Sequence, residues 1–173
     1  DRTATDLIKA VLEARLVHPG IDGRFLLRLL VYCNRWKLSQ VSDVILELLA
    51  ELDWDDPLFY ESWVLLKSFA GKALPAMRRF VRAHPDSPLL PYLALFLSSG
   101  PPSKRRWSLL KEIFEHYPDE NEDKAHIALS IARYGGEDAV ACLEQALTSA
   151  KRNGPYRREL EKALEAAKQE ARS

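Results

Sequence analysis

Along almost the whole chain, apolar residues return every three or four positions with charged residues between them, the period of helices packed by one face. Leu7, Ile8, Val11, Leu12 and Leu16 form one such stripe opposite Asp6, Lys9 and Glu13. Thr3 or Thr5 is placed to cap this first helix, which should stop before His18-Pro19-Gly20, because a residue ahead of proline is pushed out of the helical region. A second helix starts near Asp22 and carries Phe25, Leu26, Leu29, Leu30 and Cys33. The third follows Ser39 or Ser42, with Val41, Val44, Ile45, Leu48, Leu49 and Leu52 inward.

The fourth helix has the sharpest start signal. Asp56-Pro57 is a capping carboxylate followed by proline at the first helical position, and the pattern runs to Phe69, where Gly71 breaks it. The fifth spans Lys72 to Ala83, with Pro75 tolerable in its first turn. Ser87-Pro88 repeats the cap-plus-proline device for the sixth, which ends at Ser98-Ser99-Gly100-Pro101-Pro102. Ser103 caps the seventh, with Leu109, Leu110, Ile113, Phe114 and Tyr117 inward; the eighth lies between Asn121 and Tyr134, the ninth between Glu137 and Arg152, and the tenth runs from Pro155. The pattern thus predicts an all-α chain of about ten helices with no strand.

Composition narrows what such a chain does. At 173 residues, 47% of them hydrophobic and 29% charged, it is expected to form a single domain over residues 1–173 with its own core. Lys plus Arg and Asp plus Glu are both 25, so there is no net field to hold nucleic acid or an acidic membrane non-specifically. No apolar run reaches the length that spans a bilayer. Cys33 and Cys142 lie inside amphipathic patterns and read as reduced, packed thiols, which points to a reducing, cytoplasmic setting. A start at Asp1 with no leader pattern is what an excised domain or processed product would show.

The helix breaks recur. Pro19, Pro57, Pro85, Pro118 and Pro155 are separated by 38, 28, 33 and 37 positions, a mean of 34, and His18-Pro19-Gly20, Asp56-Pro57, His84-Pro85-Asp86 and Tyr117-Pro118-Asp119 each close one helix pair and open another. Between residues 122 and 150, Ile127, Ala128 and Ile131 are followed by Ala139, Leu143, Ala146 and Leu147, with Gly135-Gly136-Glu137-Asp138 at the turn. Small residues at these crossings let helix axes approach closely. This segment resembles the tetratricopeptide repeat in its apolar and small positions. The pair from Ser87 to Pro118 has Leu93 and Ala94 in place but Arg106 where that family has alanine; the pair from Asp56 to Pro85 keeps Ala73, and the first 55 residues match in helix spacing. The resemblance implies a right-handed α-solenoid of antiparallel helix pairs; a HEAT-like or irregular helical array stays open beside it.

The chemistry-bearing residues are few. His18, His84 and His116 fall at helix C-termini, where imidazole meets loose carbonyls, and His126 falls within the eighth helix. There is no HExxH motif and no phosphate-binding glycine loop, so neither cofactor nor metal is expected, and no enzymatic activity. Arg79 and His84, with four residues between them, resemble the motif of HEPN ribonucleases, although Phe80 stands where that family has a polar residue. Lys104, Arg105, Arg106 and Trp107 combine charge with an aromatic plane, the second candidate for RNA contact; a solvated first helical turn is the plainer reading. Trp36, Trp54 and Trp63 read as core.

If the tetratricopeptide resemblance holds, the first helices of successive pairs line a groove that takes a segment of another protein. The family's groove positions fall on Asn34, Tyr60, Lys67 and Arg133, three of them donors for a carbonyl or carboxylate. The expectation is a non-enzymatic adaptor or assembly scaffold, with RNA binding or processing as the alternative. A homodimer through Leu160, Leu164 and Ala167 of the last helix is a further possibility.

Overall fold

The structure is a computed structural model describing residues 2–18, 20–118, 123–150 and 155–171. Pro19, Asp119, Asn121, Arg152 and Gly154 therefore lie outside the described residues, and with them the exact breaks and helix ends expected there. Among the described residues every regular element is helical. The order is α1 (Arg2–Val17), α2 (Gly23–Arg35), a 3-10 turn (Ser39–Val41), α3 (Ser42–Glu51), α4 (Pro57–Phe69), a 3-10 turn (Ala70–Ala73), α5 (Leu74–Ala83), α6 (Leu90–Ser98), α7 (Lys104–His116), α8 (Asp123–Tyr134), α9 (Gly136–Ser149) and α10 (Pro155–Glu170).

The caps explain most of these boundaries. Asp56 accepts from the Leu58 amide at 2.7 Å with Pro57 at the first position, and Asp22 accepts from the Arg24 amide at 2.9 Å. Ser103 accepts from the Arg106 amide at 3.3 Å to open α7. Ser87 accepts from the Leu89 amide at 3.3 Å, starting a turn that becomes α6 at Leu90. Thr3 and Thr5 are not caps, because α1 already runs from Arg2. Nor does Gly71 end α4: the break is at Ala70, which sits at φ 48 and turns the chain into a 3-10 segment, so α5 starts at Leu74 rather than Lys72. Between α8 and α9 the turn is made by Gly135 and Gly136 at φ 76 and 80, a conformation that carries no strain only without a Cβ.

The chain divides into two compact units, Asp1–Ala83 and His84–Ser173. In the first, α2 packs on α4, α3 packs on α4 and α5, and α1 packs on α3. Its core is built of Leu12, Leu26, Leu30, Cys33, Ile45, Leu46, Leu65, Leu66 and Met77, each almost fully buried. In the second, α8 is central: it packs against α6, α7, α9 and α10, while α6 also meets α7 and α10 meets α9. Leu93, Ala94, Leu97, Ile127, Ala128, Ile131, Ala139 and Leu143 are buried there. The alanines sit where α8 and its neighbours approach each other, as small residues at helix crossings allow.

Several apolar residues lie outside these cores. Leu7 and Phe25 are exposed despite their place in apolar patterns. Trp36 and Trp54, expected in the core, are 60% and 76% exposed: Trp36 follows the last residue of α2, just before Lys37 turns the chain at φ 51, and Trp54 stands in the turn between α3 and α4. Trp63 is half-buried. The stripe of α10 goes the other way, with Leu160, Ala163 and Ala167 fully buried and Leu164 nearly so, on the helix that packs against α8 and α9. That stripe is used within the chain and is not available for a second copy.

Candidate functional site

The apolar composition of α6 sets up the most promising surface. Its sequence, Leu-Pro-Tyr-Leu-Ala-Leu-Phe-Leu-Ser, is apolar nearly all round, more than its packing against α7 and α8 can cover. Leu93, Ala94, Phe96 and Leu97 go inward, and Tyr92 and Leu95, three positions apart on one face, stay 45% and 41% exposed. Across from them α8 presents Leu129, 36% exposed. Together these side chains floor an open groove of about 410 Å³, rimmed by Pro88 and Pro91.

The polar groups of the groove come from α8. Asp123 stands in its first turn and Arg133 in its last, so the helix places a carboxylate and a guanidinium ~15 Å apart along its axis, with His126 and Ser130 between. Each charge is also at the end of the helix whose partial charge favours it. The Ser130 hydroxyl donates back to the His126 carbonyl at 3.1 Å. Asp123 faces the Tyr117 hydroxyl at 3.5 Å, and this phenol, buried beside the carboxylates of Asp123 and then Asp86, is pushed up to about 12. At the far end of α8 the Tyr134 hydroxyl accepts from the Ser103 amide at 2.7 Å and donates to the Ser103 carbonyl at 2.8 Å, while its ring meets Trp107 at 5.3 Å. This pins the end of α8 that carries Arg133 to the start of α7.

Of the four residues expected to face a partner, the groove therefore contains Arg133. Asn34, Tyr60 and Lys67 belong to the first unit. Tyr60 and Lys67, seven positions apart, share an exposed face of α4, whereas Asn34 is half-buried and accepts from the Lys37 ammonium at 3.0 Å. Tyr92, Leu95 and Leu129 were not anticipated. The surplus of apolar residues on α6 was the signal that marks them, since a short helix with two neighbours cannot bury every side.

Lys104 and Arg105 of the basic run are exposed, and Arg106 is not. Arg106 does not join Lys104 and Arg105 at the surface: it is 7% exposed, its guanidinium lies 5.0 Å over the Phe96 ring, and it donates to the Leu97 carbonyl at 3.4 Å. Gly100 makes the room, because a Cβ there would stand 1.3 Å from the guanidinium. Arg79 is held by Asp43 through bonds of 2.8 to 3.0 Å to both carboxylate oxygens, which fixes its guanidinium on the α3 side. His116 contacts the Glu112 carbonyl at 2.8 Å through Nδ1, the C-terminal role expected of it.

A smaller pocket, about 180 Å³, opens between α7, α9 and the start of α10. Its wall contains Lys124, 5% exposed, whose ammonium donates to the Tyr117 carbonyl at 2.6 Å and lies 5.3 Å from the Phe114 ring and 5.9 Å from that of Tyr156. Cys142 lines the same wall as a free thiol whose pKa burial raises, with Lys111 opposing the shift. The lysine is fully engaged in packing and serves the fold. Among the described residues no group of three or more His, Cys, Asp or Glu side chains is placed to hold a metal ion, and no helix is long and apolar enough to cross a membrane. Compared with known protein families, curated proteins and solved structures, the chain has no significant match.

Proposed function

We propose that the chain is a non-enzymatic protein-binding module, a TPR-like α-solenoid that takes a segment of a partner protein in the groove between α6 and α8. The observation that carries this reading is the groove itself: an apolar floor of Tyr92, Leu95 and Leu129, left open on two helices whose other leucine, isoleucine and phenylalanine side chains are buried, with Arg133 at one end and Asp123 at the other. The packing of α8 against α6 and α10, alternate helices in the chain, supports stacked hairpins, since in such stacks each first helix touches the next first helix. The chemistry of the groove selects its occupant. Apolar side chains of the bound segment cover the floor, an acidic residue meets Arg133, and a basic one meets Asp123.

Selection of a random displayed peptide library on the full chain tests this. Recovered peptides should pair apolar residues with an acidic end, and Arg133→Glu should weaken them by about tenfold, with affinity restored when the acidic residue of the peptide is replaced by lysine. Peptides whose binding ignores Arg133, Tyr92 and Leu95, or a purified chain that turns over a substrate, would remove the proposal. RNA contact through Lys104 to Trp107 is disfavoured by the inward course of Arg106.

A further inference from the structure

The first unit carries two exposed surfaces of opposite chemistry. On α2, Phe25, Leu29, Tyr32 and Trp36 recur at spacings of four, three and four, one line along the helix about 16 Å long. Leu26, Leu30 and Cys33 take the buried face, which leaves Phe25 50%, Tyr32 45% and Trp36 60% exposed, with the last two rings 6.1 Å apart. Beside this aromatic line runs a second, of arginines: Arg24, Arg28 and Arg35 are all exposed, Lys37 follows, and α2 contains no carboxylate. A soluble protein rarely leaves so many aromatic side chains together in water without a partner for them.

The complement is present in the same unit. From the last residue of α3 to the cap of α4 the chain reads Glu51-Leu52-Asp53-Trp54-Asp55-Asp56, with Glu51, Asp53, Trp54 and Asp55 exposed and Asp56 capping α4. An indole 76% exposed thus stands among carboxylates, while four cations flank the aromatic line of α2. Each surface supplies what the other lacks: the turn offers anions and one aromatic anchor, and α2 offers cations and an aromatic bed. We propose that the α2 face binds the Trp54 turn of a second copy of this chain. Trp54 packs against Tyr32 and Trp36 of the other molecule, and Asp53 and Asp55 pair with its Arg28 and Arg35, the arrangement of buried anchor and charged rim by which protein interfaces gain affinity and register. Because the two surfaces differ, the contact is heterologous: it closes into a ring or reciprocal pair, or continues as a chain of copies.

Sedimentation of the full chain across concentration and salt tests the contact. The wild-type chain should associate with rising concentration, and less so at high salt. Arg28→Glu with Arg35→Glu, and separately Asp53→Arg with Asp55→Arg, should each weaken association by about tenfold or more, and an equimolar mixture of the two variants should associate with each other as neither does alone. Trp36→Ala and Trp54→Ala should weaken it too. All these positions are exposed, and unchanged far-ultraviolet circular dichroism confirms that the variants fold. A wild-type chain that stays monomeric at every concentration, or charge-reversed variants that fail to associate when mixed, would overturn the proposal. So would a monomeric chain that binds a fluorescent single-stranded oligonucleotide and loses it in Arg28→Glu, Arg35→Glu, since the α2 face would then be reading phosphates and bases.

Discussion

Arg106 is the residue whose role departs furthest from its sequence context. It follows Lys104 and Arg105 in a run that reads as surface charge, yet its guanidinium is buried over Phe96 and bonded to the Leu97 carbonyl. Side-chain direction on a helix changes by about 100° per residue, so neighbours in a charged run need not share an environment. What permits the burial is six positions upstream, at Gly100. Gly100→Ala should therefore push the guanidinium out of its slot and destabilise the chain by about 1–3 kcal/mol in urea unfolding, through overpacking and the stranded carbonyl. Ala70 gives the opposite case. Its φ of 48 with ψ −126 is a conformation in which a Cβ is strained, and Ala70→Gly should raise stability by about 1 kcal/mol, the relief exceeding the added chain entropy of glycine. The same unfolding curves measure both.

At the level of elements, the sequence was most readable where a helix begins with its own chemistry. Asp56-Pro57, Asp22 and Ser103 mark the starts of α4, α2 and α7 because a cap is a local device, made by side chain and backbone a few residues apart. The start of α5 was not readable in this way, since nothing in the apolar spacing tells that an alanine rather than the neighbouring glycine will take the positive φ. Inward stripes were equally plain on α8 and α10, where one face is buried and the other charged. They misled on α1 and α2, where Leu7, Phe25 and Trp36 fit an apolar pattern wider than the face that neighbouring helices cover. Arg133 reached the groove by analogy of position; Tyr92 and Leu95, which give that groove its floor, needed knowledge of which sides of α6 are occupied. If the groove is the docking site, Arg133→Glu should change peptide affinity about tenfold while lowering the unfolding free energy by no more than about 1–2 kcal/mol, the size of reversing one charge at a helix end.

Over the whole molecule, the all-helical class was legible because helical periodicity fills the chain, whereas the division into two compact units rests on which helices touch, information that periodicity does not hold. Buried acids in each unit report its integrity at high pH: Cys33 in the first, Tyr117 and Cys142 in the second. Cys33, in the first, is raised from 9.0 to about 11 by burial, partly offset by a backbone hydrogen bond; Tyr117, in the second, is raised from 10.0 to about 12 by burial and then by Asp123. In both cases the folded state keeps its proton where the unfolded chain has lost it. The associated stability is complete below the unfolded values and falls as pH rises, first between 9 and 11 through Cys33, then between 10 and 12 through Tyr117, by at most about 2.7 kcal/mol for each group. Urea midpoints should accordingly be flat near neutrality and decline above pH 9, and Cys33→Ala should lessen the earlier part of the decline, to which the raised Cys142 thiol also contributes. The two thiols have one more consequence. Cys33 and Cys142 are the only cysteines in the chain; Cys142 lines the open pocket beside α9 and keeps 8% exposure, whereas Cys33 is fully buried and offers no sulfur to another molecule while the fold is intact. In a Cys142→Ser chain any disulfide-linked species on a non-reducing gel is then a record of molecules that had opened around Cys33, and its rate of accumulation is a clock for that opening.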